Sequence, residues 1–307
     1  MKKITALLLV ILILCTVAAG ADGSADGAKV SYLGPEGTYT EEAARFFFPD
    51  GDLRPKATVE EAIADVVCED ADYAVIPQEN TLGGAVTNYM DALISQDGLY
   101  VVGEVILPIS QTLMGVPGAS LDDIRTVCSH AQGLAQSSAW RNEHLPDAAV
   151  QETASTAAAA GYVAETGDRT IAAVAAPGAA ALYGLEVLAE NVQITNANKT
   201  RFYVLSASAP EGEVRTHAAF VATCEAGLFD DLIVEIHNAG LELVTVHERP
   251  EGSRLGSYRY LIEAETRGGL SDRLLEALEA ICEVRFLGSF DVAEKQKGPK
   301  IPAADRP

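Results

Sequence analysis

Residues 196–205 read NANKTRFYVL, a lysine, a threonine and an arginine set directly before an apolar run with the composition of a buried strand. The run closes a long series of short apolar strands and helices. KVSYL (29–33) reads as a strand and TEEAARFFF (40–48) as a helix with Thr40 as its N-cap and acids in its first turn. EEAIADVV (60–67) is helical, YAVIP (73–77) a strand and AVTNYMDALI (85–94) a helix. LYVVGEVIL (99–107), QTLMGV (111–116) and TVCS (126–129) read as strands, followed by the helix AQGLAQSSAWRN. STAAAAGYVAE (155–165), capped by Ser155, is helical, and the strand TIAAVAA (170–176) leads into the helix GAAALYGL. Strands alternating with helices predict an α/β domain with a mostly parallel sheet covered on both faces. Because the alternation breaks near residues 107–110, one lobe is expected to hold 29–106 plus 187–206, and a second lobe 107–186. TRFYVLS (200–206) is then the strand that brings the chain back across the cleft between them.

The bulk composition narrows the function. The chain has 307 residues, 48% of them hydrophobic and 21% charged, which describes a globular protein of two or three domains. Its formal net charge of −22, from 44 acidic against 22 basic residues, lacks the basic footprint that nucleic-acid binding needs. Any site for an anionic ligand must be built locally, against the overall field. Lys2 and Lys3, the apolar run Ile4 to Leu14 and the small residues Ala18 to Ala21 make residues 1–21 a secretory-signal-like segment. This implies an exported or membrane-tethered protein, with a cytoplasmic one as the alternative if the start codon lies upstream of the true start. Cys68, Cys128, Cys224 and Cys282 lie far apart, form no C-x-x-C pair and read as core residues. No metal site or cofactor is expected.

A composition break at ASAPEGEVRTH (207–217) reads as a linker. Beyond it, residues 216–290 have the order βαββαβ of a ferredoxin-like unit. Phe229, Leu232, Ile233 and Ile236 trace one helix face, and Leu274, Leu275, Leu278 and Ile281 another behind a Ser271 cap. Residues 291–307 have no apolar period and are expected to be a flexible tail.

Three strand-to-helix junctions share one design: YLGPEGTYT (32–40), IPQENTLGG (76–84) and CSHAQG (128–133). Such loops gather beyond the carboxyl ends of the strands of an open sheet, and helix N-termini there favour anions. An acidic chain can therefore hold an anion on backbone amides, with few real cations.

YLGPEGTYTEEAA, IPQENTLGGAV, SHAQGLAQ, AAALYGLEVLAENVQ and NKTRFYVL occur in the order and approximate spacing of prephenate dehydratase, and the chain resembles that family over residues 29 to 291. The resemblance implies a two-lobed, periplasmic-binding-protein-like catalytic domain over 29–206, and it makes the unit at 216–290 look like the family's regulatory ACT domain. It implies a carbon–oxygen lyase that converts prephenate to phenylpyruvate in L-phenylalanine biosynthesis. By resemblance Thr200 is the catalytic hydroxyl, a donor to the leaving oxygen, and Glu79 or His130 could supply the proton. Glu79, Asn80, Thr81, Ser129, His130, Gln132, Arg201 and Phe202 are the implied substrate-site residues, with Arg201 pairing with a substrate carboxylate and Phe202 forming core beneath the site. Gly227, Leu228 and Phe229 with His247, Glu248, Arg249 and Pro250 match the stretches that bind L-phenylalanine between paired ACT domains, so a homodimer or homotetramer is implied. Thr81 stands where serine is usual, Ala131 where proline is usual and Gln111 where histidine is common. Leu228, Phe229 and His247 also depart from the family pattern, which puts feedback by phenylalanine in doubt. The alternative is an exported solute-binding protein for a small carboxylate that kept the two lobes without the chemistry.

Overall fold

The computed structural model describes residues 27–209, 215–267 and 270–293. The signal-like segment, residues 210–214 of the linker and residues 294–307 of the tail lie outside the described residues. The chain enters its first lobe through β1 (Lys29–Leu33), α1 (Tyr39–Phe47), β2 (Asp52–Lys56), α2 (Val59–Val67) and β3 (Tyr73–Asn80). A short return strand β4 (Gly84–Ala85), α3 (Thr87–Ser95) and β5 (Tyr100–Pro108) complete that passage. The second lobe runs through β6 (Thr112–Gly115), β7 (Thr126–Ser129), α4 (Ala131–Gln136), α5 (Ser138–His144) and β8 (Ala149–Glu152). It continues through α6 (Thr156–Thr166), β9 (Ile171–Ala175), α7 (Pro177–Tyr183) and β10 (Glu186–Ala189), and β11 (Lys199–Ser206) returns to the first lobe.

β11 lies antiparallel between β3 and β5, while β1 pairs in parallel with β2 and β3. The sheet is therefore mixed rather than mostly parallel, because β11 enters it from the opposite lobe. β10 pairs antiparallel with β6 in the second sheet, so residues 187–189 belong to lobe two and not to lobe one as expected. Only after β10 does the chain cross back. Helix α1 is capped by Thr38, not Thr40: the Thr38 hydroxyl accepts the Glu41 amide at 3.3 Å, and Thr40 is buried as the second residue of the helix.

After the second crossing comes a unit of β12 (His217–Glu225), α8 (Phe229–Asn238), β13 (Glu242–Pro250), β14 (Ser257–Glu265), α9 (Asp272–Glu279) and β15 (Glu283–Phe290). Its four antiparallel strands run in the order β13-β14-β12-β15, the ferredoxin-like arrangement. One face packs under α8 and α9 through Phe220, Leu232, Ile236, Ile262 and Leu278. The other lies against the first lobe, where Val221, Leu261, Leu287 and Phe290 share one core with Ile76, Leu93, Val101, Tyr203 and Leu205. Burying apolar surface from both units in one core ties them together. Gly288 marks a close approach: φ is +124°, and a Cβ there would lie 2.4 Å from the Val101 carbonyl oxygen on β5. Polar contacts frame this core. Arg249 on β13 grips both Asp91 oxygens at 2.6 and 2.7 Å, and Arg285 on β15 caps α3 by donating to the Leu93 and Ile94 carbonyls. Beyond β15, β16 (Val292–Ala293) adds in parallel to β5, so the expected flexible tail begins as a strand of the first lobe.

Candidate active site

The two crossings and the loops that end the strands enclose a cleft of about 630 Å3, within the range of small-molecule sites. Lobe one contributes Asn80, Thr200, Phe202 and the start of α1; lobe two contributes His130, Gln132 and the start of α6 at Ser155 and Thr156. Gln111 and Asn198 line it from the crossings. The lobes touch beside it. The Gly37 loop, with φ of +81°, lies so close to α7 that a Cβ would stand 3.0 Å from Leu182 Cδ2. The Tyr39 hydroxyl donates to the Ser110 carbonyl.

A bulge aims the polar residues. β11 pairs Thr200 with Asn80 and Arg201 with Glu79, but Phe202 with Pro77, so Gln78 has no partner across the ladder. Strand side chains alternate, and one inserted residue reverses the alternation. Pro77 and Asn80 therefore both reach the cleft, beside Phe202 and Thr200. Glu79 and Arg201 turn to the opposite face.

Asn80 is held from both ends. Its Oδ1 accepts the Leu82 and Gly83 amides at 3.0 and 2.9 Å. Those donors leave only one amide orientation, because an NH2 group cannot accept them. Nδ2 then points at Thr200 Oγ1, 2.9 Å away, and at Asn198 Oδ1, 2.8 Å away. Thr200, 8% exposed, thus accepts from Asn80 and keeps its own proton to donate into the cleft. His130 is oriented in a similar way. Its Nδ1 accepts the Gln132 amide at 3.2 Å, so the neutral ring carries its proton on Nε2. Among the described residues the buried Asn198 Nδ2 and Gln111 Oε1 have no hydrogen-bond partner, a donor and an acceptor available to a ligand.

No lysine, arginine, aspartate or glutamate lines this cleft among the described residues. Its attraction for an anion comes from the first turns of α1 and α6 and from neutral side-chain donors. Such fixed dipoles act more strongly the more a bound ligand displaces water from the cleft.

Of the residues singled out in the sequence, Asn80, Thr200, His130, Gln132 and Phe202 line the cleft; Glu79, Thr81, Ser129 and Arg201 do not. Thr81 Oγ1 donates to the Ala197 carbonyl and accepts the Lys199 amide, both at 2.9 Å, strapping the loop after β3 to the second crossing. Ser129 is fully buried and donates to the Val174 carbonyl at 2.6 Å. Arg201, expected to meet a substrate carboxylate, instead pairs with Glu104 at 3.1 Å and Glu263 at 2.9 Å. Glu79 stands opposite Arg201 in the strand ladder and does not line the cleft, so it is not the proton source facing Thr200 there. In the C-terminal unit, Phe229 stacks on Tyr260 at 4.2 Å within the core, Leu228 is 38% exposed and Gly227 faces open space. Glu248 and Pro250 are exposed, whereas Arg249 is taken by Asp91. His247 sits near Glu79 and Arg201, and burial pushes its pKa down. Asn198, Gln111 and the start of α1 complete the cleft. Asn198 was missed in the sequence, where its only signal is a polar side chain just ahead of the returning strand; the start of α1 is the first of the three junction loops.

Comparison with known proteins places the cleft in context. The family model described as "Prephenate dehydratase" matches residues 30–210. The prephenate dehydratase of Amycolatopsis methanolica is 36% identical over 288 residues, covering 90% of this chain and 93% of its own. Among solved structures, a prephenate dehydratase from Arthrobacter aurescens in complex with L-Phe is 31% identical, with a TM-score of 0.78 over 91% of this chain and 95% of its own. GqqA, described as a novel type of quorum-quenching acylase, superposes with the same TM-score at 26% identity, covering 87% of this chain and 99% of its own.

Proposed function

The chain belongs to the prephenate dehydratase family, and from that premise we propose that its cleft converts prephenate to phenylpyruvate, a carbon–oxygen lyase reaction of phenylalanine biosynthesis. In this reaction the C–C bond to the ring carboxylate breaks and releases carbon dioxide. The electron pair enters the ring, the C–O bond to the ring hydroxyl breaks, and one proton converts the departing hydroxide to water. The aromatic product supplies the driving force, so the protein has to orient the substrate and stabilise the leaving oxygen.

The observation that carries this reading is the Asn80–Thr200 hydrogen bond. With one lone pair engaged by Asn80 Nδ2 and its proton uncommitted, the Thr200 hydroxyl is a donor facing the cleft. It serves the leaving oxygen, and His130 Nε2–H is the second donor on the facing lobe. Gln132, Asn198 and the first turns of α1 and α6 hold the carboxylates, and Phe202 gives the ring an apolar floor. The cleft's polar groups are neutral donors and acceptors, which suits a reaction without a covalent intermediate better than acyl transfer. Among the solved structures the dehydratase of Arthrobacter aurescens is also the more similar in sequence, at 31% against 26% for the acylase.

The same reading takes residues 216–290 as an ACT domain appended to a catalytic domain over 29–206, in a homodimer or homotetramer. The βαββαβ order supports it, as does the L-Phe complex of the Arthrobacter aurescens relative. Gly227 to Phe229 and His247 to Pro250 are the proposed phenylalanine-contacting stretches. Adding prephenate to the purified full chain and following phenylpyruvate by absorbance tests the reading: steady formation is expected, and none would overturn it.

A further inference from the structure

Arg201 follows Thr200 in β11 but faces the C-terminal unit. There it meets two carboxyl groups with fully buried side chains, Glu104 from β5 and Glu263 from β14. One guanidinium cannot balance two carboxylates in a site this dry, so one of the two must be neutral. Hydrogen bonding decides which. Glu263 Oε2 receives Arg201 Nη1 at 2.9 Å and the Tyr203 hydroxyl at 2.5 Å, two donors that favour a charged acceptor. Neither oxygen of Glu104 accepts a hydrogen bond from any described donor, although Arg201 Nε lies 3.1 Å from its Oε1. Around them stand Glu79 from β3, His247 from β13, and His217 from β12.

Building on the dehydratase reading, we propose that Glu263, contributed by the C-terminal unit, is a positioning residue for Thr200. Its carboxylate, together with the Tyr203 hydroxyl, clamps Arg201 on the back of β11 at the bulge. The clamp fixes the Thr200–Phe202 segment whose other face forms the cleft. Neutral Glu104 fills the remaining side. The C-terminal unit is on this account part of the frame of the catalytic site, linked to it through two consecutive residues of one strand.

The test is a mutant cycle in the full-length protein. Glu263→Gln keeps the shape but removes the charge that clamps Arg201. It lowers kcat about tenfold with KM changed less than about twofold, as expected for a group acting on the transition state alone. In a Thr200→Val background the same substitution has no further effect, because the residue it positions is gone. Tyr203→Phe removes one donor to Glu263, leaves no unpaired charge, and reproduces the pattern at about two- to threefold if Glu263→Gln does not fold. Glu104→Gln, which imitates a neutral carboxyl, retains at least about half of kcat. An unchanged kcat in Glu263→Gln, or additive effects of Glu263→Gln and Thr200→Val, overturns the inference. Amide hydrogen exchange of Arg201 and Phe202 reads the clamp without turnover: faster exchange in Glu263→Gln supports it and equal exchange overturns it. A wild-type protein inert towards prephenate would instead overturn the functional reading, leaving exchange to decide the clamp.

Discussion

Asn80 Nδ2 lies 2.9 Å from Thr200 Oγ1 while Asn80 Oδ1 accepts two backbone amides, so the threonine is an acceptor from asparagine and a donor to the cleft. The direction of that bond depends on asparagine having both a donor and an acceptor. Asn80→Asp preserves the two amide contacts but presents a second acceptor to Thr200, which then turns its proton away from the cleft. The expected result is a kcat lower by about 30-fold, comparable to losing a transition-state donor, with KM changed less. Steady-state kinetics on prephenate check it, and an unchanged kcat would contradict the assignment.

Where β15 meets β5, position 288 has no room for a side chain. Gly288→Ala must accommodate a Cβ 2.4 Å from the Val101 oxygen at a φ that L-residues rarely adopt. A destabilisation of about 3 kcal/mol or more is expected, which lowers Tm by about 5 °C for a protein of this size. Thermal unfolding followed by circular dichroism gives the answer, and an unaltered Tm would mean that the two backbones do not approach so closely.

Burial, and next the charge of Glu263, hold the Glu104 pKa well above its usual range, against the opposing pull of Arg201. The folded protein keeps this proton, whereas the unfolded chain releases it above its ordinary value of 4.5. Above that pH the unfolded state binds fewer protons, so the group subtracts stability as pH rises, by at most about 1.4 kcal/mol per unit. Glu104→Gln has no proton to lose. Its Tm should gain on that of the wild type between pH 5 and pH 8, and parallel curves would show that Glu104 is ionised in the folded state.

Much of this was legible in the sequence. The returning strand at 199–206 and the βαββαβ order were readable because apolar residues recur there at strand or helix spacing. β2 and β8 were not. DLRPK and AVQE are edge strands with half-buried or exposed residues, and Pro55 is tolerated only because β2 is the outermost strand. The expected helix at 131–142 is two helices that meet at Ser137, whose hydroxyl bonds back to the Gly133 carbonyl at 2.8 Å. The site was half legible. The family resemblance singled out Asn80 and Thr200, but facing is set by the bulge at Gln78, which depends on the pairing of strands more than a hundred residues apart. For that reason Glu79 and Arg201, adjacent to the cleft residues in sequence, point away from it.

Phenylalanine binding is expected to be weak. Phe229 is committed to Tyr260, and larger side chains after Gly227 together with His247 change the proposed pocket in both volume and charge. Overpacking of this kind costs about 1–3 kcal/mol, a loss of roughly ten- to a hundredfold in affinity. Calorimetric titration should give no saturable binding at submillimolar L-phenylalanine; a micromolar dissociation constant would contradict this.

If the Thr200 hydroxyl donates to the leaving oxygen of prephenate, turnover must depend on it, and Thr200→Val is the decisive variant. Valine keeps the branched shape at a buried strand position and removes only the donor. Phenylpyruvate formation at saturating prephenate should fall by about 100-fold or more, about 2.7 kcal/mol of transition-state stabilisation, while prephenate still binds with nearly the same affinity. A Thr200→Val protein that turns over as fast as the wild type would contradict the account.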